Sequence, residues 1–295
     1  MVFIQWIPRD FTWNIQPWQC LDKDKVTKFG LIIILLKNSK VILILTLWDW
    51  GANLLIVNIN LSLNKNCKFF FNRFFSTIIN FSNDYKKRYE VTNEQKESLV
   101  GVLLADAHLE KGKSSRNARL SIDHSYPSQE AYVNYLYNLF KPLVATPPAV
   151  IERKKDKRTG LAYKSIYFKT LSFPCLNEFH ALFYNNNIKV IPSNLEDLLT
   201  PIGLAHFIMG DGYYDTVKQT IYLCTENYSL SEVNLLISVL NKNFDLKATA
   251  NKRDLKNGVI GWRIRFSKSS LDKLRALVSN YTIPEMNHKL GLDKK

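Results

Sequence analysis

The sequence predicts a mixed α+β fold built from two similar halves, and three observations carry that reading. The order of elements from Glu94 to Asn187 recurs from Pro201 to the C-terminus. Each half contains a strand that alternates basic and apolar residues. Each half also opens with an almost wholly apolar helix ending in an aspartate.

In the first half, Ser98–Asp106 reads as the apolar helix, Ala118–His124 as a strand, and a helix capped by Ser128 runs to Lys141. In the second, a helix from Ile202 to Asp211 precedes a strand from Thr220 to Thr225 and a helix from Ser229 to Leu240. The further strands are Ser165–Thr170 (SIYFKT) and Gly261–Ser267 (GWRIRFS). Strand alternation puts Tyr167 with Lys169, and Arg263 with Arg265, on faces opposite the apolar residues. One face of each sheet is then core and the other cationic. Two such sheets side by side form a basic saddle, and the DNA major groove admits a two-stranded ribbon.

Residues 1–90 differ in texture and read as a poorly defined, hydrophobic and basic extension with little fold of its own. A transmembrane anchor across Val41–Leu61 is opposed by Asp49 near its middle and by the asparagines that follow. No secretory or transit signal is legible. The regular pattern begins near Val91, dividing the remainder into halves 91–198 and 199–295.

Charge narrows the partner. The 40 Lys and Arg against 26 Asp and Glu leave +14 over 295 residues, and residues 91–295 alone keep 28 against 20. An excess of that size points to a polyanion, most often nucleic acid, and away from acidic proteins or metabolites. Cys20, Cys67, Cys175 and Cys224 have neither CxxC spacing nor paired histidines nearby, so the sequence indicates neither a zinc site nor a disulfide framework. The lone His206, inside an apolar run, reads as a packed helix residue.

The chemistry resides in the two apolar helices, Leu99–Ala107 (LVGVLLADA) and Leu204–Gly212 (LAHFIMGDG). Small residues at Gly101, Ala105, Ala107, Ala205, Gly210 and Gly212 allow two backbones to approach closely. Packed together, the helices deliver Asp106 and Asp211 to one place. Adjacent carboxylates repel unless a divalent cation sits between them. Oxygen donors without His or Cys select Mg²⁺, with Mn²⁺ as a substitute. Such a centre suits phosphodiester hydrolysis.

These nine-residue segments resemble the motif that names the LAGLIDADG homing endonucleases. Two copies 105 residues apart resemble the monomeric two-motif form. The resemblance covers roughly Asn93–Leu290 and implies two pseudo-symmetric αββαββα halves packed through the motif helices. It implies that Asp106 and Asp211, at the eighth motif position, bind metal and organise hydrolysis of two opposite DNA strands. The carbonyls of Ala105 and Gly210 become candidate additional ligands. Leu104 and Met209 depart from the motif at its sixth position, His206 at its third and Ala107 at its ninth. Both halves also carry an Ile-Pro element with a lysine at a similar remove from its aspartate, Lys189 and Lys289. The family places a basic residue near each metal centre at these spots.

As DNA contacts the sequence offers Arg116, Arg119, Arg153, Lys154, Lys155, Lys164, Lys169, Lys252, Arg253, Arg263 and Arg265. The expected activity is a metal-dependent double-strand break in a long DNA site, as in intron homing. A maturase that assists splicing of its host intron RNA is the alternative. The abundance of Asn, Lys, Ile and Phe suggests AT-rich codons, and the resemblance implies an organellar intron, mitochondrial or else chloroplast.

Overall fold

The computed structural model describes the backbone of residues 28–34 and 42–48, residue 81, and residues 83–292 apart from 113–114, 157–158 and 256–257. The chain divides into two compact units, Met1–Phe69 and Phe70–Lys295. In the first, β1 (Lys28–Ile34) and β2 (Ile42–Trp48) pair antiparallel from Lys28 opposite Trp48 to Ile34 opposite Ile42. The segment expected to be irregular therefore contains a strand pair, in keeping with its Ile-rich composition. The rest of the candidate span 41–61 lies outside the described residues. Among the described residues no helix is long and apolar enough to cross a membrane.

The second unit begins earlier than the composition shift at Val91 suggests. Helix α1 (Asn83–Arg88) is part of it. Phe81, Tyr85 and Tyr89 pack edge-on or tilted around Phe173, with ring centroids 5.7–6.3 Å from it, and the Tyr85 hydroxyl donates to the Pro142 carbonyl.

Two αββαββα halves follow. The first comprises α2 (Asn93–Leu104), β3 (His108–Glu110), β4 (Arg119–Ser125), α3 (Glu130–Phe140), β5 (Ala149–Glu152), β6 (Lys164–Lys169) and α4 (Asn177–Phe183). A connector holds the short pair β7 (Tyr184–Asn185) and β8 (Ile188–Lys189) and the turn of helix α5 (Leu195–Leu198). The second half repeats the order: α6 (Pro201–Asp211), β9 (Gly212–Asp215), β10 (Thr220–Cys224), α7 (Leu230–Phe244), β11 (Ala248–Asp254), β12 (Ile260–Phe266) and α8 (Leu271–Val278). Both sheets are antiparallel, with orders β3-β4-β6-β5 and β9-β10-β12-β11. These orders match strand for strand, so the repeat read from sequence is a structural one.

Local chemistry explains most boundaries. Thr92 and Gln95 form a capping box that starts α2 five residues before the expected Ser98, and Gln95 also donates to the Leu139 carbonyl at 2.8 Å. Ser229 and Glu232 form the same device on α7. Thr200 caps α6, with Pro201 at the first helical position. Ser128 does not cap α3: the helix begins after Gln129 without a side-chain cap, and the Ser128 hydroxyl pairs instead with that of Ser125 at 2.9 Å.

Each half buries one sheet face under a helix. Tyr132, Val133, Leu136 and Phe140 of α3 cover Leu120, Ile122, Ile166 and Phe168, while Val233, Leu236, Val239 and Leu240 of α7 cover Ile264 and Phe266 of β12, and β10, with Ile221 and Leu223, lies against α6. Each such side chain contributes roughly 1.5–3 kcal/mol by leaving water. The halves join through α2 and α6, buried on nearly every side from Ser98 to Leu104 and from Gly203 to Met209. A Cβ at Gly101 would collide with the Gly203 carbonyl, and one at Gly210 with Ala105, so the close approach requires glycine at both places. At the helix ends opposite the aspartates, the Thr200 hydroxyl donates to Glu97 at 2.6 Å.

His206 is fully buried, as read from the sequence. It leaves the helix interface toward α3, where its ring stacks on Tyr135 and its Nδ1 lies 3.2 Å from the Tyr132 hydroxyl. Its Nε2 has no hydrogen-bond partner. Burial holds the imidazole neutral and pushes its pKa down to about 4. A histidine whose folded pKa is depressed contributes full stability above its ordinary value of 6.5 and loses it as the pH falls from there toward 4. The loss should reach roughly 3 kcal/mol. Urea denaturation at neutral and acid pH measures it, and His206→Leu should remove most of the difference; an unchanged acid dependence would refute the assignment.

Candidate active site

The site forms where α2 and α6 end side by side between the two sheets. Helix α6 runs through Asp211, its last helical residue. Helix α2 stops at Leu104, two residues short of the expected Asp106, because Ala105 leaves helical geometry at φ −90° and ψ −142°. Asp106 therefore sits in the following turn and is exposed, whereas Asp211 is half-buried. The small-residue packing brings their side chains within hydrogen-bonding reach. Burial and the adjacent Asp106 push the Asp211 carboxyl up to about 7, against the pull of Lys189 and Lys289.

The two lysines serve the two helix ends in parallel. Lys189, on β8, donates through Nζ to the Ala105 carbonyl at 2.6 Å and the Ala107 carbonyl at 2.9 Å. Lys289, on a 3₁₀ segment from Pro284 to Leu290, donates to the carbonyls of Met209 at 2.5 Å and Gly210 at 2.6 Å. Each ammonium thus caps carbonyls at a helix C-terminus, where positive charge also favours the dipole. Burial pulls Lys189 down to about 8, and lowers Lys289 as well, with the aspartates opposing in both cases. Two of three N–H donors are used on each Nζ, which leaves one for a substrate.

Three nearby residues escaped sequence reading. The Tyr228 hydroxyl donates to the Leu104 carbonyl at 3.0 Å and helps end α2. His124 of β4 is buried with Nδ1 3.8 Å from an Asp106 oxygen; burial lowers its pKa, and Asp106 opposes that. Glu232, the α7 capping residue, accepts from the Ile191 backbone N–H at 3.0 Å and so tethers the connector that bears Lys189. Only the capping box carried a sequence signal.

Arg119, Lys169, Arg253, Arg263 and Arg265 occupy the sheet faces opposite the core, whereas Lys164 and Lys252 have the register of the core-facing residues and are exposed near strand ends; the first sheet is a mixed ion network rather than a plain cationic surface. Glu110 receives Lys169 and Arg119 at 2.6 Å each. Burial would raise the Glu110 carboxyl, yet hydrogen bonds from Lys169 and Arg119 outweigh it and hold the pKa at about 2. Arg153 pairs with Asp123 and donates to the Ser165 hydroxyl at 2.8 Å. Asp123 shares its strand face with Arg119, a pattern visible in the sequence. On the second sheet Arg263 pairs with Glu226, while Arg265 lies opposite Tyr222 and Thr249. Arg116, Lys154, Lys155, Lys164 and Arg253 are exposed, and exposed Lys252 is 3.5 Å from Asp254. Positions 157 and 158, which follow Lys154 and Lys155 in the chain, lie outside the described residues. A cleft of about 490 Å³ opens over the first sheet beside Asp106, lined in part by His124, Arg153 and Lys164.

Residues 96–274 match the model of the LAGLIDADG DNA endonuclease family. The chain belongs to that family. DNA endonuclease I-ChuI of Chlamydomonas applanata is 28% identical over 210 residues, covering 68% of this chain and 96% of the relative. Cytochrome b mRNA maturase bI2 of Debaryomyces hansenii is 28% identical over 217 residues, covering 73% and 78%. The solved structure of the homing endonuclease I-WcaI, bound to its DNA recognition sequence, is similar with a TM-score of 0.64 and 26% identity, covering 78% of this chain and 95% of that one. The two-motif LAGLIDADG form is thus present in one chain, with both motif helices in the shared interface.

Because the Asp211 pKa is raised on folding, its ionisation opposes the fold: stability present below its ordinary value of 3.8 is lost as the pH rises toward about 7. With chelator present, Asp211→Asn should therefore denature at a higher temperature than the native chain at pH 8, and the advantage should shrink at pH 5. A destabilised Asn variant at both pH values would show that the carboxylates do not repel.

Proposed function

We propose that this chain is a site-specific DNA endonuclease that makes a divalent-metal-dependent double-strand break, with Asp106 and Asp211 as its central carboxylates. The observation that carries the reading is the closeness of two carboxylates, one of them pushed toward protonation, beside two sheets that carry arginines and lysines on their outer faces, several of them paired with acids. A hard divalent cation fits this donor set: two carboxylate oxygens, and local negative charge in want of a counter-ion. We infer Mg²⁺, with Mn²⁺ able to replace it. The Ala105 and Gly210 carbonyls are further donors, since each oxygen keeps a second lone pair beside its lysine hydrogen bond. Bound there, the cation would polarise a phosphodiester and lower the pKa of a water.

The chain's own residues orient the reaction around it. Asp106 and Asp211 align the attacking water and the leaving oxygen of one strand each. Lys189 and Lys289, locked by their two carbonyls, aim the remaining N–H at the scissile phosphate and stabilise charge that develops there. The cations Arg116, Arg119, Arg153, Lys154, Lys155, Lys164, Lys169, Lys252, Arg253, Arg263 and Arg265 hold the DNA along the sheets, and phosphate contacts among them set affinity and salt dependence. The halves divide near residues 198 and 199, and the protein acts as a monomer because both motifs lie in one chain. Similarity to cytochrome b maturases supports a second reading, binding of the host intron RNA, and the intron-encoded relatives support origin in an organelle, the mitochondrion.

Asp106→Asn and Asp211→Asn should each abolish double-strand cleavage while largely preserving DNA affinity. Cleavage of an intronless copy of the host gene, with and without Mg²⁺, provides the assay. Full cutting by either variant excludes the catalytic assignment, and retained intron splicing by a non-cutting variant supports the maturase reading.

Lys189→Ala and Lys289→Ala should slow cleavage by roughly ten- to a thousand-fold with little change in affinity. Single-turnover cleavage and equilibrium binding on the same variants decide the point: a loss of binding in proportion to rate would make them ordinary phosphate contacts.

A further inference from the structure

The outer face of the second sheet holds a cluster that the cleavage chemistry does not use. The Arg263 side chain is 18% exposed and that of its partner Glu226 15%. Arg263 Nε pairs with Glu226, Nη1 donates to the Tyr213 hydroxyl at 3.0 Å, and the guanidinium lies over the Tyr213 ring, 5.4 Å from its centroid. Tyr213 stacks in turn on Tyr222, with centroids 5.3 Å apart and planes within 8°. Nη2 makes no hydrogen bond among the described residues.

An ion pair this far removed from water adds little net stability, and the core lies on the opposite face of β12. What the arrangement does supply is orientation. Arginine carries about 2 kcal/mol of rotamer entropy, much of which is already lost here before any ligand arrives. With Nε on Glu226 and one Nη1 hydrogen on the Tyr213 hydroxyl, the guanidinium keeps an edge made of Nη2 and the second Nη1 hydrogen for a partner. That edge is the fork that meets O6 and N7 of guanine in the major groove.

The cluster belongs to one half only. In matching registers Arg263 lies opposite Cys224, while Tyr167 lies opposite Asp123, so the first sheet has a tyrosine at the equivalent place. Its nearby arginine, Arg153, is directed to Asp123 and Ser165 instead.

We propose that Arg263 reads a guanine in the half-site that lies on the second sheet, with Glu226 and Tyr213 as positioning residues. The inference rests on the DNA endonuclease reading and deepens it from DNA contact to recognition of one base. It also separates Arg263 from the phosphate-binding cations.

The test is selection by the full chain, in Ca²⁺, from a duplex library randomised across the recognition site, with thermal denaturation confirming that each variant folds. The native chain should fix a G·C pair at one position that Arg263→Ala alone releases, its discrimination there falling roughly five- to a hundred-fold while other positions keep theirs. Arg263→Met, which retains the stem over Tyr213, gives the same readout if the alanine variant does not fold. Glu226→Gln should weaken the same preference without moving it to another base. Affinity lost equally on every sequence would make Arg263 a phosphate contact, and an unchanged preference would make it a structural ion pair; either overturns the inference while leaving the endonuclease reading standing. A native chain that selects no sequence overturns it together with site-specific cleavage.

Discussion

The close approach of α2 and α6 is the constraint on which the rest of the molecule depends. The apolar stretches of the two helices, from Leu99 in α2 and from Leu204 in α6, meet through glycine, so that Gly101 abuts the Gly203 backbone and Gly210 abuts Ala105. That contact joins the halves, and the same contact forces Asp106 against Asp211. Fold and site are therefore one packing solution. A helix interface that relaxed by an ångström or two would relieve the carboxylates and disperse the site, but it would also leave unfilled space along two buried helices, which close-packed interiors resist.

The charge concentrated at that end is balanced by groups that arrive from outside the two motif helices. Lys189 comes from the connector and Lys289 from the last 3₁₀ segment, yet both reach backbone carbonyls at the end of a motif helix. They neutralise the helix C-termini as well as the carboxylates, so removing either changes both backbone capping and electrostatics. The two halves agree in this device and differ around it. Asp106 is exposed and has buried His124 beside it, whereas Asp211 is the more enclosed of the two and lies on the half with the arginine and tyrosine cluster. Equivalent topology thus carries unequal surroundings at the two aspartates.

Much of the fold was legible because its signals are local. The apolar helices Ser98–Asp106 and Ile202–Asp211, the two strands that alternate basic and apolar residues and the helix that begins at Ser229 are set by periodicity and by side chains reaching their own backbone, and the structure has each within a few residues. Errors arose where tertiary contacts override local preference. Ser128 has a cap residue's chemistry but bonds Ser125, and α2 ends early because Ala105 turns out of the helix while Tyr228 and Lys189 take carbonyls at its end. Edge strands such as β5 and β11, short or rich in polar residues, lack the apolar alternation that reveals a strand. The aromatic attachment of α1 to Phe173 joins residues that sequence spacing cannot connect.

The sequence by itself determined the repeat, the two aspartates, the pair of lysines and the basic excess, since each is a matter of residue type and order. The tertiary structure alone decided how those charges are used. It assigned Lys169 and Arg119 to Glu110, Arg153 to Asp123 and Arg263 to Glu226, so that cations alike in sequence became an ion network on one sheet and an oriented guanidinium on the other. Electrostatic outcome depends on distance and on exclusion of water, and both are fixed only when strands far apart in sequence come into register.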